Sequence, residues 1–124
     1  MNALHDSQSL KRELLCLAIG YVVLAVIFKI SFAQSSILEN LRVAASLYWM
    51  FVLPGYALSL CSKQDFANRL IIGIIVQAGV IGHLSYFAGL AGWHIATHGL
   101  VLPLVSIGIG IFLWKRSPAK PEPA

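Results

Sequence analysis

Four apolar runs, each long enough to cross a lipid bilayer, constrain this chain more than any other feature of its sequence. They lie at about 14–33, 41–61, 70–91 and 97–114, and about 20 apolar residues are enough for a helix to span the hydrocarbon core. Within lipid every backbone polar group has to find its partner inside the protein, which favours helices over strands. The sequence therefore predicts an all-α integral membrane protein built as a four-helix bundle.

The composition agrees with a chain that is almost entirely embedded. Of its 124 residues, 58% are hydrophobic and only 11% are charged, whereas a water-soluble domain carries more charge on its surface. We expect a short N-terminal tail at 1–13, one transmembrane domain at 14–114 and a disordered, proline-rich tail at 115–124. Within that domain the helices are predicted at about 14–33, 37–61, 70–91 and 97–114.

The lysine and arginine residues predict the orientation. Seven of the nine lie before the first helix, between the second and third, or after the fourth, and only Lys29 and Arg42 lie on the other side. The positive-inside rule then places both termini in the cytoplasm and the chain in the cytoplasmic membrane. The net charge of +4 is explained by this cytoplasmic collar and by anionic lipid head groups, with no nucleic acid as a partner.

The first run has a second interpretation. Lys11 and Arg12, the apolar stretch 14–28 and then Ser31-Phe32-Ala33 also resemble a signal peptide with a cleavage site after Ala33. Lys29, Ile30 and Phe32 fit a cleavage region poorly, so a retained first helix is the preferred interpretation. Cleavage would change the number of helices and leave the orientation of the other three as predicted.

Helix two is expected to begin near Ile37 and to be interrupted in its second half. Ser36 and Glu39 have the spacing of a capping box, which marks a helix start. Farther along, FVLPGYALSLC at 51–61 contains Pro54, which has no N–H and whose ring clashes with the carbonyl of Met50. Lipid tolerates such a break only when another group bonds the freed carbonyl. We therefore predict a Pro-Gly kink at which side chains of neighbouring helices donate hydrogen bonds to the freed carbonyl.

Residues at the same depth as the break form a predicted polar layer. At about 1.5 Å of helix rise per residue, this polar layer comprises Pro54, Gly55, Tyr56, Gln77, Tyr21 and Ser106. Gln77 is the expected donor, because it is the only amide side chain at that depth. The layer has two interpretations: it repairs the broken helix, or it lines a water or substrate pocket as broken helices do in transporters.

Helix three carries a stripe of small side chains. Spacings of four and three residues alternate along this small-residue face, which consists of Ala78, Gly82, Ser85, Gly89 and Gly92. Small residues let two transmembrane helices approach closely, and such packing drives helix association in lipid. The pattern predicts that helix three is the central helix and packs along this face, against a helix of the same chain or of another.

The histidines raise the question of ionisable or metal chemistry. His83 lies inside the predicted third helix, where an ionisable group is a functional suspect, and the alternative is a hydrogen bond to Tyr48. His94 and His98 have the four-residue spacing of a helical metal pair, but no third ligand accompanies them in the loop. We expect them to be interfacial residues, with no metal and no cofactor.

The carboxylates argue against an enzyme. None lies in the middle of a predicted helix, and the five are Asp6, Glu13, Glu39, Asp65 and Glu122. Paired-carboxylate acid–base chemistry in the membrane is therefore excluded, and no phosphate-binding loop or activated nucleophile is recognisable. The small multidrug exporters share this size and helix count, but they depend on a glutamate in the first helix, which 14–28 lacks.

FVLPGYAL at 51–58 is followed by a short loop with Asp65 and Asn68-Arg69 that opens the next helix. Through these two features residues 41–113 resemble a group of multi-pass membrane proteins of unknown activity that is frequent in archaea. The resemblance implies a helical membrane fold and importance of Pro54-Gly55-Tyr56, and no mechanism. The function predicted is a small non-enzymatic partner or assembly subunit, in a homo-oligomer or with other membrane proteins. The alternative is an oligomeric carrier or channel for a small uncharged or lipid-like substrate.

Overall fold

The computed structural model describes the backbone of residues 2–117 and the side chains from residue 7 onward, and this part of the chain contains helices and no strand. Five α-helices and one π-helical segment follow one another along the chain. They are α1 (Asn2–Ser31), α2 (Ile37–Leu47), the π-helical segment (Tyr48–Val52), α3 (Leu53–Ser59), α4 (Phe66–Leu90) and α5 (Ile95–Arg116).

Four stretches are long and apolar enough to cross a membrane, as the sequence predicts. They are Ser7–Ser31, Ile37–Ser59, Phe66–Leu90 and Ile95–Arg116. The second of them contains α2, the π-helical segment and α3. Their length and composition are compatible with a multi-pass membrane protein.

The helix boundaries differ from the predicted ones mainly at the N-terminal ends. α1 begins at Asn2 rather than near residue 14, because the intervening residues contain neither glycine nor proline and include several good helix formers. α4 begins at Phe66 rather than near 70, with Asp65 as its N-cap residue. α5 runs two residues farther than predicted at both ends. The part of the predicted tail from residue 118 lies outside the described residues.

The chain divides into two compact units, of which the first ends at Tyr48 and the second begins at Trp49. The prediction of one four-helix bundle stays a prediction. In the first unit, α1 and α2 form a hairpin that two tyrosines link. Tyr21 donates its hydroxyl proton to the carbonyl of Leu41 at 3.2 Å, and Tyr48 donates to the carbonyl of Leu17 at 3.1 Å. The two rings meet edge to face, with centroids 5.3 Å apart.

The turn of this hairpin is held by the capping box that the sequence predicts. The Ser36 hydroxyl accepts from the Glu39 N–H at 3.2 Å, and a Glu39 carboxylate oxygen accepts from the Ser36 N–H at 3.0 Å. Lys29, in the last turn of α1, donates to the carbonyls of Ala33 and Ser35. Backbone groups at both ends of the turn are therefore hydrogen-bonded to side chains.

The second unit is a bundle in which α3 packs against both α4 and α5, and these two contact each other much less. The central helix of this unit is therefore α3, not the predicted third span, α4. Two close backbone approaches explain the difference. A Cβ added to Gly55 would lie 2.7 Å from the carbonyl carbon of Gly73, and one added to Gly110 would overlap the carbonyl of Ala57. Glycine at these crossings lets the helices approach to backbone contact.

The small-residue face of α4 does not make these contacts. Ala78, Gly82 and Gly89 are exposed, and within the second unit no atom lies within 4 Å of a Cβ built on Gly82 or Gly89. Gly92 is not part of the helix at all. It follows the end of α4 with φ of 80°, and the bonds from Gly92 N to Gly89 O and from Trp93 N to Ala88 O complete a Schellman motif.

Candidate functional site

The backbone changes its hydrogen-bonding pattern just before Pro54. Tyr48–Val52 is π-helical, and α3 starts again at Leu53 with Pro54 in its first turn. A proline is tolerated there, because the first turn of a helix has N–H groups without an intrahelical partner in any case. Short π-helical segments inside α-helices are rare and frequently occur at functional sites. The α-helical pattern predicted to break at Pro54 thus changes to one wide π-helical turn, after which a new α-helix begins.

Gln77 reaches this wide turn from α4. Its Nε2 donates to the carbonyl oxygen of Met50 at 3.3 Å, which is the carbonyl that the sequence analysis expects Pro54 to free. Gln77 and Pro54 are both fully buried. The side chain of Gln77 therefore replaces, from a neighbouring helix, the donor that the proline removes.

The amide oxygen of the Gln77 side chain has no hydrogen-bond partner among the described residues. This Oε1 atom is buried. An amide oxygen has two acceptor positions, and a buried polar atom without a partner is destabilising. The Nε2 of Gln77 is therefore hydrogen-bonded, whereas its Oε1 can still accept a hydrogen bond from a water molecule or a hydroxyl group.

The remaining members of the polar layer have separate environments. Gly55 is the glycine that contacts α4, and Tyr56 is buried with its ring 6.2 Å from the ring of Phe66. Ser106 is buried on α5, and no hydrogen bond of its hydroxyl is found within residues 2–117. Tyr21 belongs to the first unit, where its hydroxyl donates to Leu41. Gln77 and Met50 are thus the pair that the structure brings together at the break.

Two features of this region are not among those predicted from the sequence. The hydroxyl of Ser59 donates to the carbonyl of Tyr56 at 2.8 Å inside α3, and the spacing of three residues is the signal for such a back-bond. Pro103 lies inside α5 and is fully buried. A proline within a long apolar run is the signal that identifies Pro54, and the same signal identifies Pro103.

The three histidines whose side chains the structure describes occupy different environments. His83 is exposed on α4, with its ring 6.1 Å from that of Phe87, and Tyr48, its suggested partner, donates to Leu17 within the first unit. The Nδ1 of His94 caps α5 by accepting from the Ala96 N–H at 3.4 Å. His98 is buried, and its Nε2 lies 3.1 Å from the carbonyl oxygen of Trp93. His94 and His98 therefore hold the α4–α5 turn. A functional role for His83 stays a prediction.

Within residues 2–117, no group of three or more histidine, cysteine, aspartate or glutamate side chains could hold a metal ion. The two cysteines, Cys16 and Cys61, are free and exposed. No protein-family model, curated protein or solved structure matches this chain. Its four apolar helices and its proline break are compatible with the class of multi-pass helical membrane proteins.

Proposed function

We propose that this chain is a small non-enzymatic protein of the cytoplasmic membrane that acts as a partner or assembly subunit, and that the small-residue face of α4 receives a transmembrane helix of another membrane protein. The observation that carries the proposal is that most of this face is unused within its own unit, where only Ser85 is half-buried. Ala78, Gly82 and Gly89 are exposed, and space is open beside both glycines.

The physics of helix association supports this assignment. Burying apolar side chains brings no gain when the surroundings are lipid, so helices associate where small residues allow close van der Waals contact. The second unit uses this device at Gly55, Gly73 and Gly110, where backbones touch. Residues of the same kind on the outer face of α4 are then suited to a contact with a helix from outside the chain.

The orientation and the kink belong to the same proposal. The distribution of lysine and arginine supports cytoplasmic termini, and the π-helical segment before Pro54 supports a kink in the second span. The absence of mid-helix carboxylates in the sequence supports a role without catalysis. The resemblance of residues 41–113 to multi-pass proteins adds the same fold and no activity.

The experiment compares two isoleucine variants. In Gly82→Ile, a bulky side chain covers the small-residue face, whereas Gly108→Ile places the same side chain at an equally open glycine on α5. Tagged protein is cross-linked in native membranes and purified, and its cross-linked partners are quantified. We expect cross-linked membrane-protein partners that Gly82→Ile removes and Gly108→Ile retains. Equal cross-linking of both variants would contradict the proposal.

The unpaired oxygen of Gln77 favours a second candidate function, a carrier or channel for a small uncharged or lipid-like substrate. A wet polar layer gives that oxygen a water or substrate partner, as in transporters with broken helices. The test is labelling of Ser106→Cys by a water-soluble thiol reagent after Cys16 and Cys61 are changed to serine. Val105→Cys, exposed on the same helix, is the matched control. Labelling of Ser106→Cys alone supports the carrier, and labelling of neither contradicts it.

A further inference from the structure

Two polar side chains on the exposed side of α4 have no hydrogen-bond partner in their own unit. His83 is exposed, and Tyr86 is 64% exposed. Within residues 2–117, neither the imidazole ring nor the phenol hydroxyl makes a hydrogen bond. Both residues lie in Phe66–Leu90, which is long and apolar enough to cross a membrane. An ionisable side chain in such a span generally faces a polar partner rather than lipid, and here the unit itself does not supply one.

The position of His83 along α4 makes this unpaired state costly in a bilayer. α4 contains 25 residues and is thus roughly 37 Å long, only slightly longer than the hydrocarbon core of about 30 Å. By the same helix rise, His83 lies roughly 10 Å and Tyr86 roughly 6 Å before the end of α4 at Leu90. The imidazole of His83 is therefore inside the hydrocarbon, where no water is present to bond it.

Phe87 brings the two polar rings into one cluster. Its ring centroid lies 6.1 Å from that of His83 and 5.6 Å from that of Tyr86. Residues three apart on a helix are neighbours on its surface, with Cβ atoms about 5–6 Å from each other. A ring N–H and a hydroxyl proton on two neighbouring side chains suit an acceptor group that has two oxygens.

Space for a second helix is open beside both donors. Gly79 lies one turn before His83, and Gly82 lies one turn before Tyr86. Within the second unit, a Cβ added to either glycine would meet no atom within 4 Å. Glycine lets the backbone of another helix approach closely. An incoming side chain can therefore reach the imidazole and the hydroxyl without displacing any part of this unit.

Charge complementarity identifies the incoming group. An ionised carboxylate has two oxygens that only accept hydrogen bonds, and ionisable groups inside membrane spans pair with one another. None of the five carboxylates of this chain lies in the middle of a span, so a carboxylate at this depth has to come from another protein. A second copy of the chain would bring the same two donors and no carboxylate to face them.

We propose that α4 receives a transmembrane helix that carries an aspartate or glutamate, whose carboxylate accepts hydrogen bonds from the imidazole of His83 and the hydroxyl of Tyr86. This inference rests on the proposed function, because it names the chemistry of the helix that the small-residue face receives. Gly82 belongs to that face, and His83 and Tyr86 lie beside it.

The experiment captures the partner helix beside the two donors in native membranes. Photoreactive p-benzoylphenylalanine replaces Leu90, which is 68% exposed one turn beyond Tyr86, and mass spectrometry sequences the segments that it cross-links. We expect these segments to be apolar spans of another protein that contain an aspartate or glutamate. His83→Leu and Tyr86→Phe should each lower the yield of these adducts roughly three- to tenfold, the value of one hydrogen bond between helices in lipid.

A second probe position controls for misfolding of the variants. The same photoreactive residue at Leu100, exposed on α5, should give an adduct pattern that neither substitution changes. If the pattern changes in one variant, the other variant and the sequences of the wild-type adducts decide.

Three results would overturn the proposal: segments without an acidic residue, adducts with lipid alone, or yields that both substitutions leave unchanged. If Gly82→Ile still removes the protein adducts in such a case, the docking face of α4 stands and only the carboxylate partner is wrong. Protein adducts that persist in Gly82→Ile would contradict the proposed function instead.

Discussion

The side-chain nitrogen of Gln77 lies 3.3 Å from the carbonyl oxygen of Met50, four residues before Pro54, whose missing N–H leaves that carbonyl without its α-helical donor. Gln77 belongs to α4 and is fully buried. The bond therefore ties α4 to the interrupted span inside the second unit. It also explains why an amide is present on a helix whose other buried residues are Gly73 and Ile81.

Replacing Gln77 by leucine should destabilise the protein by about 1 kcal/mol, because the carbonyl of Met50 loses its donor in an apolar interior. The loss is moderated because the unpaired Oε1 disappears with the same substitution. Unfolding in mixed detergent micelles measures the change. Gln64→Leu, at an exposed loop position, is the control and should leave stability nearly unchanged. A Gln77→Leu variant as stable as wild type would remove Gln77 from its role.

Gly73→Ala should be strongly destabilising, by about 1–3 kcal/mol or more. Its Cβ would overlap the carbonyl oxygen of Gly55, and two helix backbones cannot move apart as a flexible side chain can. Gly79→Ala on the same helix meets nothing within 4 Å inside its unit and should be neutral or slightly stabilising, since alanine favours helix. Similar unfolding curves for the two variants would contradict the crossing at Gly55 and Gly73.

In the first unit, the effects of Gly20→Ala and Tyr48→Phe on the free energy of unfolding should not be additive. A Cβ on Gly20 would lie 2.6 Å from the Tyr48 hydroxyl oxygen but 4.0 Å from the ring carbon that bears it. Gly20→Ala should therefore be less favourable while the Tyr48 hydroxyl is present, because the tyrosine has to shift, and neutral or slightly stabilising when Tyr48 is replaced by phenylalanine, since alanine favours helix. A double-mutant cycle of unfolding free energies measures this coupling. Additive costs would show that the hydroxyl is not the atom in contact.

Removing the cap of α2 should cost about 1 kcal/mol. Ser36→Ala takes away the oxygen that accepts from the Glu39 N–H, and of the capping box only the bond from the backbone N–H of residue 36 to the Glu39 carboxylate then remains. Ser35→Ala is the matched control, because only the backbone of Ser35 takes part in the turn, by accepting from Lys29. Thermal unfolding followed by circular dichroism should separate the two variants, and equal melting temperatures would exclude the cap as a stabilising feature.

Sequence reasoning succeeded where one local rule dominates. Run length predicts the four spans, the spacing of Ser36 and Glu39 predicts the cap, and the missing N–H of Pro54 leads to the carbonyl of Met50. Gln77 is likewise predictable as the donor, because it is the only amide side chain at that depth.

The features that the sequence does not predict concern choices between equivalent patterns. Glycine marks both a helix crossing and a helix end, and the sequence does not distinguish Gly73, which touches α3, from Gly82, which is exposed, or from Gly92, which adopts a positive φ. The central place of α3 could not be predicted either, since it depends on two backbone approaches that only the assembled unit reveals.

The hydrogen bond from Gln77 to the Met50 carbonyl can be measured directly in lipid bilayers, by infrared spectroscopy of that carbonyl. The chain contains only two methionines, Met1 and Met50, so methionine labelled at its carbonyl carbon reports Met50 as the single internal site. We expect its infrared carbonyl band to move to higher frequency in Gln77→Leu, as the bond is lost, and to stay in place in Gln64→Leu. An unchanged Met50 band in Gln77→Leu would contradict the claim that α4 mends the break at Pro54.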